Sequence, residues 1–224
     1  MKKHAVAALL AAMLLTFASS CGGSAGGNAS GGDASGGNAD GGNRGGMEGM
    51  DHGQMGSGGM AAMSRKMVMP NGRYSDKAFI DAMVPHHEGA VEMAQVALKH
   101  AGHPEIEELA EDIVSAQEKE IKELKGIKQE EFGTSDVPMH MSGGQMRAMG
   151  MMEDPQQLAD KKPFDEAFID AMILHHESAI AMAEVSEKRT DNPRIRELAK
   201  NIVSAQEKEI AQMKRWRQEW YSKG

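Results

Sequence analysis

The chain has 224 residues, but 26 glycines crowd toward its N-terminal third, so the foldable part is short enough for one domain. With 33 Asp plus Glu against 25 Lys plus Arg, the net charge of −8 repels a phosphate backbone and argues against nucleic acid as a partner. Aromatic residues at 4% and a single Cys exclude a base-stacking platform and an intramolecular disulfide framework. Methionine is the anomaly. Twenty Met residues exceed what core filling needs, and many stand in polar or Gly-rich stretches with no core to fill.

Lys2 and Lys3 precede an apolar run from Ala5 to Phe17, and the small residues Ala18, Ser19 and Ser20 lead into Cys21. The run is too short for a bilayer-spanning helix of about 20 residues, and its flanks read as a signal peptide over residues 1–20. Cys21 directly after small residues resembles a bacterial lipoprotein processing site, although Ala18 stands where such sites usually carry Leu. Lipidation at Cys21 would anchor the exported chain to a membrane and would account for the lone cysteine. Residues 21–73 then read as a disordered Gly-rich tether, studded with Met in its second half, because the composition cannot bury enough surface to offset chain entropy.

Residues 78–125 align without a gap on 167–214, and 29 of those 48 positions are identical. A-F-I-D-A-M, H-H-E and I-V-S-A-Q-E-K-E-I all recur, so each copy is the same supersecondary unit. In the first copy Phe79, Met83, His87, Ala90, Ala94 and Ala97 keep helical spacing. Asp76 and Asp165 suit a first helical turn, and Gly102 ends the first helix. Pro104 and Pro193 suit the opening of a second helix running from about Glu105 to Phe132, with an apolar face of Ile106, Leu109, Ile113, Ala116, Ile121 and Leu124. The second copy mirrors this face with Ile195, Leu198, Ile202, Ala205, Ile210 and Met213. Neither hairpin buries its stripe alone, which predicts an all-α four-helix bundle over residues 74–221: repeat 1 at 74–132, a Met-rich linker at 133–163, and repeat 2 at 164–221. Pro85 should kink the first helix, and Leu174 replaces it in the second copy.

At about 100° per residue, Met83, His86, His87 and Met93 fall on one face, and Met172, His175, His176 and Met182 repeat the arrangement. A lone Met or inward His is ordinarily core packing, but adjacent His pairs preceded by Met, occurring twice, point to metal. Thioether plus imidazole is a soft to borderline set that favours Cu(I) over hard ions. On the second helix of each copy Gln117 with Glu120, and Gln206 with Glu209, fall within the apolar stripe. A buried carboxylate needs a partner, and metal-bound imidazoles commonly donate their second N–H to one; a metal-free polar network is the alternative. Glu88, Glu177, Glu118 and Glu207 point outward by the same geometry. Met50, His52 and Met55 in the tail and Met139, His140 and Met141 in the linker form auxiliary, weaker candidate sites, since solvated methionines have no packing motive.

The doubled F-I-D-A-M-x-x-H-H-E-x-A-x-x-M-A followed by I-V-S-A-Q-E-K-E-I resembles the ferritin-like family catalogued as domain of unknown function 305, which includes exported copper-binding proteins of the CopM kind. The resemblance implies a four-helix bundle, an envelope location and Met/His copper sites, carried by position to Met83, His86, His87, Met93, Met172, His175, His176 and Met182. Leu98 and His103 become Glu187 and Asn192 in the second copy, so the halves need not be equally competent. The leading expectation is a non-catalytic Cu(I) protein that sequesters copper or hands it to an envelope partner, with Ag(I) as a second ion. A helical interaction module is one alternative. A di-iron oxidase is the other, but it needs Glu-x-x-His motifs, and none of the nine histidines has Glu three residues before it.

Overall fold

A computed structural model describes residues 57–138, 141–152 and 154–222. Helix α1 spans Ser57–Met67, α2 Asp76–His100, α3 Pro104–Phe132, α4 Gly143–Ala148, α5 Phe164–Arg189 and α6 Pro193–Tyr221, with 3-10 turns at Pro70–Gly72 and Pro155–Asp160. The helix ends follow local chemistry. The Ser75 side chain accepts from the Ala78 N–H at the start of α2, and Asn192 Oδ1 accepts from the Arg194 N–H at the start of α6. Pro104 and Pro193 open their helices, where a missing N–H is harmless, and Gly133 closes α3 in the left-handed conformation. Helix α2 runs on through Pro85.

The long helices form two hairpins, α2–α3 and α5–α6, joined mainly through α2 against α5, while α3 and α6 touch sparingly. The sparse α3–α6 contact corrects one detail of the predicted apolar face: Ala116 and Ala205 are exposed. Glu118 and Glu207 are exposed as expected, whereas Glu88 and Glu177 are half-buried and pair across their hairpins with Lys125 at 2.9 Å and Lys214 at 3.3 Å. Helix α1 is a further correction. It lies within the stretch read as tether, yet it packs on α5, and Met67 and Met69 rest half-buried against the core. An apolar spacing hidden in a Gly- and Met-rich composition is enough for a short helix once an adjoining surface takes its apolar side. The signal segment, Cys21 and the tail through Gly56 lie outside the described residues. No helix among the described residues is long and apolar enough to cross a membrane.

The two copies brace each other. Asp165, in the first turn of α5, reaches the α2–α3 junction and accepts from the Gly102 N–H at 2.9 Å and the His103 N–H at 2.9 Å, with His103 Nδ1 at 2.5 Å. Its repeat equivalent Asp76 accepts from the Thr190 hydroxyl at 2.6 Å at the α5–α6 junction. Each first-turn aspartate thus ties down the other copy's turn. Buried Lys128 pairs with Asp81, and Arg217 pairs with Asp170 at the equivalent place, so a charged tether recurs along both hairpins.

Asp165→Ala strands two backbone donors at a part-buried turn, so it should destabilise the fold by about 2–3 kcal/mol, against about 1 kcal/mol for Thr190→Val, which removes one hydroxyl bond. Urea unfolding midpoints of the two variants compare them directly.

Candidate metal centre

The core of the bundle is divided. One apolar cluster holds Phe79, Met83 and Val84 of α2 with Ala179, Met182 and Ala183 of α5. The other holds Met93, Ala94 and Ala97 of α2 with Phe168, Ile169 and Met172 of α5. The start of α2 therefore faces the end of α5, and the helices are antiparallel. His86 and His87 on α2, and His175 and His176 on α5, fall between the clusters as a fully buried imidazole layer. All eight Met and His positions singled out on the helices are buried. They do not make one site per hairpin: antiparallel pairing puts Met83 with Met182 on one side of the layer and Met93 with Met172 on the other.

At the centre the His86 and His175 rings lie with centroids 3.8 Å apart and planes tilted by 45°. His175 Nε2 lies 3.0 Å from the His86 carbonyl, which only accepts, so Nε2 carries the proton. His86 Nε2 lies 2.6 Å from the Ser178 hydroxyl and 3.2 Å from the Met149 carbonyl. The Ser178 hydroxyl also reaches the His175 carbonyl at 2.8 Å, so with its proton there the oxygen is free to accept from His86. The outer imidazoles meet the predicted carboxylates. His176 Nε2 donates to Glu209 at 2.6 Å, and His87 Nε2 lies 2.8 Å from Glu120, near enough for an ion pair but out of line for a hydrogen bond. Glu120 and Glu209 are not fully buried, with side chains 16% and 20% exposed; they line a cavity of about 400 Å³ between α3 and α6 that gives them access to water.

With the protons on Nε2, the Nδ1 atoms of all four histidines present lone pairs, and all four are buried without a hydrogen-bond partner. A polar atom buried without a partner is costly, and this layer holds four of them. Burial holds the His86 and His175 imidazoles well below the usual histidine range, and the neighbouring imidazoles push the same way. Both are therefore neutral at physiological pH, as ligation requires. Among the described residues no three His, Cys, Asp or Glu side chains are arranged to hold a metal. Gln117 and Gln206 are buried as expected, but Gln117 Oε1 and both polar atoms of the Gln206 amide lack partners.

The auxiliary candidates fare differently. Met50, His52, Met55, Met139 and His140 lie outside the described residues, while Met141 is half-buried against the Met83–Met182 cluster. Sequence reasoning overlooked Met149, Met151 and Ser178 as neighbours of the histidines. Met149 and Met151 are buried at 1% and 8% exposure although they belong to the linker, and periodicity holds no signal for a loop folded into a core. Ser178 was marked only by its difference from Gly89 at the equivalent position.

Because the folded imidazoles of His86 and His175 titrate below their unfolded values, the unfolded chain binds more protons once pH drops under about 6.5. Stability is then full above that pH and falls below it, by up to about 1.4 kcal/mol per pH unit for each residue, until the folded groups also protonate. Melting of the metal-free protein between pH 7.5 and 5 should show this loss, and His86→Gln/His175→Gln should flatten it.

The family described as domain of unknown function (DUF305) matches residues 24–128 and 126–217. CopM in its Cu(I)-bound form is 39% identical, with 67% of this chain and 100% of that chain covered and a TM-score of 0.60. CopM has also been solved in an Ag-bound form obtained by soaking, 38% identical over 67% of this chain and all of that one, TM-score 0.58. A DUF305 fragment from Deinococcus radiodurans is 25% identical over 62% of this chain and 92% of that chain, TM-score 0.57. An uncharacterised protein, L153, of Acanthamoeba polyphaga mimivirus is 36% identical over 52 residues, 23% of this chain, and the match spans only 34% of that relative's length. The chain belongs to the DUF305 family.

Proposed function

We propose that this chain is an exported, non-catalytic copper-binding protein of the cell envelope that sequesters Cu(I), or hands it to an envelope partner, through its Met/His centre. The observation that carries the reading is the layer of four buried imidazoles with unpartnered Nδ1 atoms between two groups of buried thioethers. Neutral nitrogen and thioether sulfur match Cu(I) and Ag(I) and suit hard ions poorly. CopM, of the same family and fold, is solved with Cu(I), Cu(II) and Ag bound, which supports the same ions here. Glu209 and Glu120 beside the outer imidazoles would fix their tautomer and orientation. The tail methionines and His52 would act as weaker collectors, because a Gly-rich coil loses entropy on binding that packed helices do not.

The envelope location rests on the N-terminal sequence: a basic flank, a short apolar run and Cys21. Acylated Cys21 would hold the protein at a membrane while the tail spans outward.

Anaerobic competition against a Cu(I) chelator tests the ion. Cu(I) should bind orders of magnitude more tightly than Zn(II), and Zn(II) retention equal to that of Cu(I) would reject the soft centre. Deleting residues 22–56 should lower stoichiometry and leave the tightest site, whereas replacing His86, His87, His175 and His176 with Gln should remove it; the reverse pattern would move the site to the tail. Cys21→Ser should release the protein from the membrane fraction, and unchanged partitioning would point to a different anchor.

A further inference from the structure

Duplication alone would make the two sides of the imidazole layer equivalent, one holding Met83 and Met182, the other Met93 and Met172. The linker breaks that equivalence. Its Met149–Met151 segment folds over the layer and buries both methionines in the Met83–Met182 cluster. The Met149 carbonyl faces His86 Nε2 at 3.2 Å. Met151 comes close on the His175 side: a β-carbon placed at Gly89 would lie 3.6 Å from the Met151 methyl and 3.7 Å from His175 Nε2. Between them Gly150 has φ +69°, and a β-carbon there would sit 2.6 Å from the Leu174 carbonyl oxygen and 3.0 Å from the His175 nitrogen. Only glycine lets the linker lie this close to the α5 backbone at the histidines. On the far side Met213 joins Met93 and Met172, packed among aromatic rings that include Phe164 and Phe168, and there the linker contributes buried Leu158 and a half-buried Met152.

The geometry points to the linker as a thioether-bearing strap that turns two near-equivalent half-sites into one dominant Cu(I)/Ag(I) site, with Met149 and Met151 joining Met83 and Met182 beside His86 and His175. This deepens the copper reading and rests on it. On the strap side all four thioethers are buried and the linker reaches the histidines themselves, whereas the other side has three buried thioethers and a half-exposed Met152, so the strap side takes the first ion. The rival account is that Met149 and Met151 merely fill space. Leucine separates the two, since it keeps volume and hydrophobicity and removes only the sulfur.

The test is anaerobic Cu(I) chelator competition on the mature chain, repeated with Ag(I), with circular dichroism and thermal melting as the measure of fold. Met149→Leu/Met151→Leu should weaken the tightest site by roughly tenfold or more, each single replacement should carry part of that loss, and X-ray absorption should count fewer sulfurs around the first copper. Met93→Leu/Met172→Leu should weaken the tightest site less than the strap pair does. Wild-type affinity in the strap variants, or the greater loss in the Met93/Met172 pair, overturns the strap. A wild-type chain that holds no tight Cu(I) instead overturns the copper reading itself.

Discussion

Four imidazoles buried in an apolar bundle are the constraint around which the remaining structure is arranged. A neutral histidine brings two polar nitrogens out of water, and one unpartnered nitrogen forgoes a hydrogen bond worth about 1–3 kcal/mol. The fold answers on the Nε2 side. It supplies the His86 carbonyl, the Ser178 hydroxyl, the Met149 carbonyl and two carboxylates, each from a different part of the chain. It supplies nothing on the Nδ1 side. A core selected for stability alone would place leucine here.

Duplication makes such a layer accessible to a small protein. Each hairpin brings one His pair and one His-facing Glu, and antiparallel docking of α2 on α5 merges the pairs at the centre. The reciprocal clamps of Asp165 and Asp76 hold the register of that docking, because each is a first-turn residue of one copy reaching the interhelix turn of the other. The copies have since diverged where they meet the linker. Gly89 leaves space beside His175, and Ser178 at the equivalent place bonds His86. That one difference gives the two central histidines unlike surroundings within a nearly symmetric frame.

The carboxylates occupy an intermediate position. Glu120 and Glu209 touch buried imidazoles at one end and a water-accessible cavity at the other. Such a group fixes the orientation of an imidazole without bringing a full charge into the dry layer.

The sequence by itself determined the helices, the duplication, the inward His and Met, and the carboxylate partners. All of these are local periodicities: a helix repeats about every 3.6 residues, and the same spacing of Met83, His86 and His87 returns at Met172, His175 and His176. Composition also misled, since a Gly- and Met-rich stretch concealed α1, whose helix depends on the α5 surface beneath it. Only the tertiary structure decided that Met83 shares a cluster with Met182 and not with Met93, because that follows from the antiparallel docking of two helices 89 residues apart. It alone exposed Ala116 and Ala205, through a gap between α3 and α6 that no single-helix pattern encodes. The linker is the clearest case. Met149 and Met151 enter the core through one left-handed glycine pressed on a distant backbone, and long-range contact of that kind leaves no period in the chain to read.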